Sequence, residues 1–245
     1  MATPSELEVR AARAWPAAEA VARGGWLLRH TPAAGRRRSN SALPLPGSRP
    51  DDAAVALVED WYRARGATPV VQVAPAGERG AHDALLDGRG WAAGGATDVL
   101  VADAGDAAAA APAGDVVEGL TGAWLAAWAA AEGRPDAEGH RGILAAVPTP
   151  AGFAALQDGG RPLAVGLCAV EGAWGGVFCL ATAPAARRRG LARGVLAALA
   201  AWAAGRGAER LYLQVEAGNA AAHALFASAG FVRSHGYHYR TATLS

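Results

Sequence analysis

The chain reads as an α/β (α+β) protein: a mixed, largely antiparallel sheet flanked by helices and built from two similar halves. Three observations predict this. Short apolar runs rich in strand formers alternate with Ala/Leu-rich stretches of helical period. One stretch, Val177–Leu196 (VFCLATAPAARRRGLARGVL), passes from a strand through a proline and a cationic turn into a helix. Finally, Val71-Gln72-Val73, Ala84-Leu85-Leu86 and Gly90-Trp91 are echoed by Leu213-Gln214-Val215, Ala224-Leu225-Phe226 and Gly230-Phe231. Counted back from the Gly-aromatic pair, the helices align without a gap, and only the preceding loop differs in length.

Taken in order, a first helix is expected over Ser5–Ala14, with Thr3 or Ser5 as its cap. Trp26–His30 reads as a strand, Gly35-Arg36-Arg37-Arg38 as a cationic turn, and Asn40–Leu45 as a second strand ending at prolines. Asp51 or Asp52 caps a helix through Arg65 that places Val55, Val58 and Tyr62 on one face. Val70–Val73 is a strand, Ala81–Gly88 a helix, and Trp91–Ala102 leads into a closing strand. Asp103–Gly114, rich in Ala, Gly, Pro and Asp, reads as a linker. The expected division is therefore residues 1–104, a linker at 105–114, and residues 115–245.

The second half opens with a strand at Val116–Leu120. Thr121 caps a helix over Ala123–Ala131 that carries Trp124 and Trp128 four apart. Gly133–Asp136 breaks it, and a short helix follows over Glu138–Ala146. Pro162–Val170 and Val177–Thr182 form a hairpin, followed by the turn, a helix to Ala204, a strand at 211–216, a helix at 220–229 and a last strand near Gly236–Thr241.

Composition narrows the function. With 245 residues, the net charge of +1 argues against a protein whose main partner is nucleic acid or an anionic membrane surface. No lysine occurs and Gly reaches 32, the bias of a GC-rich bacterial genome, so a single Arg carries less meaning here than usual. The segment MATPSELEVRAARAWP has no apolar core of signal-peptide length, and no run of about 18 apolar residues is free of charge and glycine. The expected compartment is the cytoplasm. Cys168 and Cys179, in neighbouring strands, could face each other but read as buried thiols. The six His and the acids show no ligand spacing, so no metal is expected.

The turn carries the chemistry. Pro184 ends the strand because it has no N–H to donate. Arg187, Arg188, Arg189 and Gly190 then precede a helix start, where unpaired N–H groups and the dipole favour an anion. Gly190 and the small Ala192 let a phosphate approach the backbone, and the arginines add charge-assisted hydrogen bonds.

Arg187-Arg188-Arg189-Gly190-Leu191-Ala192 resembles the Arg/Gln-x-x-Gly-x-Gly/Ala signature of the GNAT acetyltransferases, and its sequel resembles the second half of their core. That sequel is Leu211–Glu216, Asn219, Leu225-Phe226 and Gly230-Phe231. The resemblance covers about Asp115–Arg240; the first half resembles a degenerate copy without the phosphate turn, Arg36–Arg38 being followed by Ser39-Asn40-Ser41. It implies an acetyl-CoA-dependent N-acetyltransferase acting on a primary amine of a small molecule or peptide, by direct attack. It implies that residues 187–192 cradle the pyrophosphate, that Leu180, Ala181 and Thr182 offer backbone to the pantetheine arm, and that Asn219 bonds that arm or caps the helix. Phe226 stands where many relatives carry a tyrosine that protonates the leaving thiolate. Tyr212, Tyr237 and Tyr239 are candidate replacement donors by proximity along the chain, and Glu216 is a candidate base beside Glu171 and His223. Trp124 and Trp128 either pack the first helix or wall the acceptor site, which Glu132, Asp136, His140 and Arg141 could also line. A non-catalytic acyl-CoA-binding or sensing protein is the alternative, and a homodimer is compatible with either.

Overall fold

The computed structural model describes residues 2–74, 80–110, 114–133 and 137–243. Its contacts divide the chain into two compact units, Met1–Asp98 with Glu216–Gly218 and His235–Ser245, and Val99–Val215 with Asn219–Ser234. This differs from the division expected at the linker. Each half of the sequence supplies its last strand residues to the other unit, an exchange that sequence order does not reveal. Residues 103–110 are no open linker either: α4 (Ala104–Ala108) is a short helix with Ala104 and Ala107 buried and the Ala104 N–H bonded to the Glu209 carbonyl at 2.8 Å. Residues 111–113 lie outside the described residues, and of the expected break at Gly133–Asp136 only Gly133 is described, ending the preceding helix at a left-handed φ of 63°.

In the first unit, α1 (Pro4–Ala14) starts in a capping box: Glu6 N–H donates to Thr3 Oγ1 at 3.2 Å, and Thr3 N–H donates to Glu6 Oε2 at 2.7 Å. Ser5 is a buried helix residue, not the cap. The hairpin β1 (Glu19–Arg23) and β2 (Trp26–His30) turns on Gly24 and Gly25, whose φ angles of 57° and 80° suit a tight two-residue loop. Periodicity misses β1 because Glu-Ala-Val-Ala-Arg holds a single large apolar side chain. β3 is only Leu43–Pro44, and Arg37–Ser39 form a 3-10 turn ahead of it. α2 (Asp52–Arg63) is capped by Asp51, which accepts from Ala54 N–H at 2.8 Å. β4 (Val70–Val73), α3 (Gly80–Gly88) and the start of β5 (Ala92–Asp103) follow. The last strand, β11 (Val232–Thr241), pairs antiparallel with β4, Thr241 opposite Val70. Trp26, Leu28, Val58, Tyr62, Val73 and Leu86 fill the core.

The second unit contains β6 (Asp115–Glu118), α5 (Gly122–Glu132), α6 (Ala137–Ala145), β7 (Ala151–Asp158), β8 (Arg161–Glu171) and β9 (Trp174–Thr182). α7 (Leu191–Ala204), β10 (Arg210–Glu216) and α8 (Ala220–Ser228) follow. The strand order is β6-β7-β8-β9-β10-β5. β6, β7, β8 and β9 pair antiparallel, and β9 pairs parallel with β10. β7, an Ala/Gly-rich strand, escapes sequence reading because its small residues carry little strand preference. Gly152 shows how tight it is: a Cβ there would sit 2.7 Å from the Trp202 ring and 2.8 Å from Val116 Cγ1. Gly152→Val will therefore lower unfolding free energy by about 1–3 kcal/mol, read as a smaller urea midpoint at unchanged slope.

The halves repeat each other beyond the echo in sequence. Both run β-β-β-α-β-α-β, as β1-β2-β3-α2-β4-α3-β5 and β7-β8-β9-α7-β10-α8-β11. Both close the long helix with Trp-x-x-x-Arg-Gly-Ala. Arg65 lies over the Trp61 ring at 3.7 Å and donates to the Trp61 carbonyl at 2.8 Å; Arg206 lies over Trp202 at 4.0 Å and donates to its carbonyl at 3.2 Å. The counterpart of the phosphate turn is thus the segment before α2, residues 45–51, and not Arg36–Arg38. Its helix N-terminus already holds an internal anion, the Asp51 carboxylate.

Candidate active site

The second unit holds a slot made by two strands that part. β9 and β10 are paired from Trp174↔Arg210 to Val177↔Leu213, and there the pairing stops. Beyond it, β9 bulges against β8: Val165 opposes Ala181 and Leu167 opposes Phe178, which leaves Gly166 facing two residues, Cys179 and Leu180. Cys179 takes φ 54° to make this bulge. The backbone of Leu180, Ala181 and Thr182 is held on the β8 side, with Ala164 opposite Thr182, and is unpaired toward β10 among the described residues. All three are half-buried.

The slot leads into the turn. Pro184–Ala186 form a 3-10 turn, and Arg187 Nε donates back to the Thr182 carbonyl at 3.4 Å. Arg188 and Gly190 both have positive φ, 65° and 76°, and left-handed residues within a turn are a feature of backbone concavities that bind anions. Gly190 caps α7 without a side-chain bond, and among the described residues the N–H groups from Arg188 to Ala192 make no backbone hydrogen bond. A Cβ at Gly190 would meet nothing within 4 Å. Arg187, Arg188 and Arg189 are exposed, whereas Leu191 is half-buried and packs onto the core. Open donors, helix dipole and three guanidiniums fit a pyrophosphate, and the parted strands fit an extended chain bearing amides.

Other expected site residues are placed elsewhere. Phe226 is a core residue, 7% exposed, with its ring 5.8 Å from that of Phe231. Tyr212 is 1% exposed, its hydroxyl filling the space that a side chain at Gly176 would need, so it is no proton donor to a ligand. Glu216 and Tyr237 belong to the first unit, where Glu216 is exposed and Tyr237 packs edge-on against Tyr239. Trp124 and Trp128 are core, 2% and 0% exposed, with Trp124 Nε1 donating to the Ala154 carbonyl at 2.9 Å. His140 is buried against Trp128, Arg141 pairs with Glu138, and Asp136 lies outside the described residues. Asn219 caps α8, accepting from Ala222 N–H at 3.1 Å.

Two residues escaped sequence reading. Cys179 gives no local sign that a bulge falls on it. Gln214, the first β10 residue past the last paired one, carries a buried side-chain oxygen with no donor among the described residues. A lone polar residue in Leu-Tyr-Leu-Gln-Val was its signal. The two cysteines do not face each other, since Cys168 opposes Val177. Burial pushes the Cys168 thiol up to about 12. Titration of the native protein at pH 8 with a disulfide reagent will therefore register no more than the Cys179 thiol, and unfolding will release the second. Among the described residues no group of His, Cys, Asp or Glu could hold a metal ion, and no helix is long and apolar enough to cross a membrane.

Two parted parallel strands, a bulge and an anion-binding turn ahead of a helix define a GNAT-type acyltransferase fold. Residues 4–240 match the family model described as probable histone acetyltransferase Rv0428c C-terminal, and the chain belongs to that family, within the GNAT N-acetyltransferases. A relative in Bacillus subtilis (strain 168), the uncharacterized N-acetyltransferase YobR, is 32% identical over 103 residues, which is 42% of this chain and 42% of that protein. Among solved structures, a GCN5-related N-acetyltransferase from Kribbella flavida superposes with a TM-score of 0.75 at 18% identity, covering 100% of this chain and 97% of that one. A tandem GNAT protein from the clavulanic acid biosynthesis pathway gives 0.66 at 15% identity, covering 99% and 89%. Both show the shared fold.

Proposed function

We propose that this protein is an N-acetyltransferase that takes its acetyl group from acetyl-CoA and passes it to a primary amine by direct attack, and that the second unit alone binds the donor. The observation that carries this is the run of open N–H groups from Arg188 to Ala192 at the end of the parted strands. Acetyl-CoA supplies an activated thioester. The chain's own residues do the rest: the turn holds the pyrophosphate, Arg187–Arg189 neutralise it, and the free backbone of Leu180–Thr182 fixes the pantetheine amides and polarises the acyl carbonyl. The first unit lacks this turn, its α2 N-terminus being closed by Asp51, and is read as a degenerate copy. The acceptor is a small-molecule or peptide amine, and the family model's description puts lysine-rich peptides in the panel to be tried.

Calorimetry with acetyl-CoA, followed by an amine panel read by thiol release, tests this. Binding with one site per chain and amine-dependent thiol release well above hydrolysis are expected; no binding ends the reading. One observation favours the alternative of a non-catalytic acyl-CoA sensor. The second unit has Tyr212 as its sole tyrosine, buried, and Phe226 in place of a hydroxyl donor. Binding without release for any amine would select that alternative.

A further inference from the structure

β1 pairs with β2 from Glu19↔His30 to Arg23↔Trp26, and among the described residues no strand lies on its other side. Its residues are mostly exposed, including Val21 at 36%. Beside it runs a groove of about 760 Å³ toward α2, lined by Val21, Arg23, Leu57, Trp61 and Arg65 among others. An open edge of this kind is a template for another strand.

The second unit shows what such an edge takes. Its counterpart of β1 is β7, and β7 is covered by β6, with Asp115–Glu118 antiparallel to Gly152–Ala155. There the repeated Trp-Arg pair grips the added strand: Val116 lies with Trp202 over Gly152, and Arg206 bonds Glu118. In the first unit Trp61 and Arg65 hold the same posture beside the groove, with Arg65 Nε bonded at 2.8 Å to Glu19 of β1 itself.

We propose that β1 is a self-association strand: two copies of this chain join by antiparallel pairing of Glu19–Arg23, with Val21 on the two-fold axis. The segment is self-complementary. With Val21 opposite Val21, Glu19 of each copy faces Arg23 of the other, and the Glu19 carboxylate retains lone pairs for that contact beside its bonds to Arg65. The hydrogen bonds are in phase too. In a two-residue hairpin Arg23 and Trp26 form a bonded pair, so alternation turns the N–H and C=O of Val21 and Glu19 toward β2 and those of Ala20 and Ala22 outward. Ala20 of one copy then meets Ala22 of the other, giving about four hydrogen bonds across the axis. Glu19, Val21 and Arg23 share the α2 face. Each copy therefore lays an apolar and a charged side chain over the other's groove, as β6 does in the second unit. An acidic foreign peptide would satisfy Arg23 and Arg65 but leave Glu19 facing like charge, which is why a second copy is the occupant.

Sedimentation velocity on the full chain over a wide concentration range tests this. The natural protein should be a dimer. Val21→Lys, which sets two ammonium groups on the axis, should weaken it roughly tenfold or more, and Ala22→Pro should remove it by deleting an outward N–H. Val21→Cys should form a covalent dimer under mild oxidation, which the natural chain should not. A natural protein that stays monomeric at every concentration overturns the proposal. So does a dimer that survives Val21→Lys and fails to cross-link at position 21, since its contact lies elsewhere. Should Ala22→Pro misfold, the natural mass and the cysteine cross-link still decide.

Discussion

Replacing Gly190 by Trp will reduce acetyl-CoA affinity at least about 100-fold while leaving the protein folded. Gly190 sits at φ 76° and ψ 2°, so any side chain costs about 1–2 kcal/mol of backbone strain, an amount a domain survives. Its Cβ direction is open, with no atom within 4 Å, so an indole added there fills the space that a phosphate would occupy. Hydrogen bonds to a charged group contribute about 1.5–3 kcal/mol each, and losing two at the lower figure already amounts to about 100-fold. Gly190→Ala separates the causes, since it carries the strain without the bulk and should lose much less. Titration calorimetry on the three proteins, with circular dichroism to confirm folding, reads the result. Equal affinity for the natural and Trp proteins would mean that the donor does not bind at this turn.

The turn was legible because its chemistry is local. Pro184 must end a strand, and glycine ahead of an Ala/Leu helix advertises an open N-terminus. The Thr121 and Asp51 caps were legible for the same reason, each a short polar side chain three residues before the N–H it bonds. What stayed hidden depends on tertiary partners. Nothing in Phe-Cys-Leu marks Cys179 as a bulge, because the bulge is a mismatch with β8. Tyr212 looked available along the chain, yet the pairing of β10 with β9 sets it opposite Gly176, where its hydroxyl is swallowed. Trp124 and Trp128 had two readings, and the facing Phe153, edge-on to Trp124 at 5.1 Å, decided for packing. The exchange of last strands was invisible because both halves carry an equally plausible strand at that point.

The largest effect on stability is expected at Arg29. The repeat places a glutamine just after the last parallel-paired residue in both units, Gln72 after Val71↔Ala42 and Gln214 after Leu213↔Val177. In the first unit that glutamine is fully engaged. Arg29 Nη2 donates to Gln72 Oε1 at 2.9 Å and to Ser41 Oγ at 2.8 Å, and Arg29 Nε donates to the Ser41 carbonyl at 2.9 Å. Gln72 Nε2 donates to Glu8, whose other oxygen meets His235 Nε2 at 2.7 Å. Arg29 is 1% and Glu8 2% exposed; burial lowers the guanidinium's pKa, and Glu8 is among the groups that oppose the shift. Arg29→Met leaves the Glu8 carboxylate buried without that cation and should cost about 3–5 kcal/mol in urea unfolding. Arg29→Met with Glu8→Gln should recover part of that loss, because removing both charges together strands neither. A double variant no better than the single one would show that the two charges are not coupled. In the second unit the equivalent oxygen, on Gln214, has no such partner among the described residues. The first unit has thus closed with an internal cation the position that the second leaves beside its open slot. For that reason Arg29→Met, measured where it remains folded, should bind acetyl-CoA as the natural protein does.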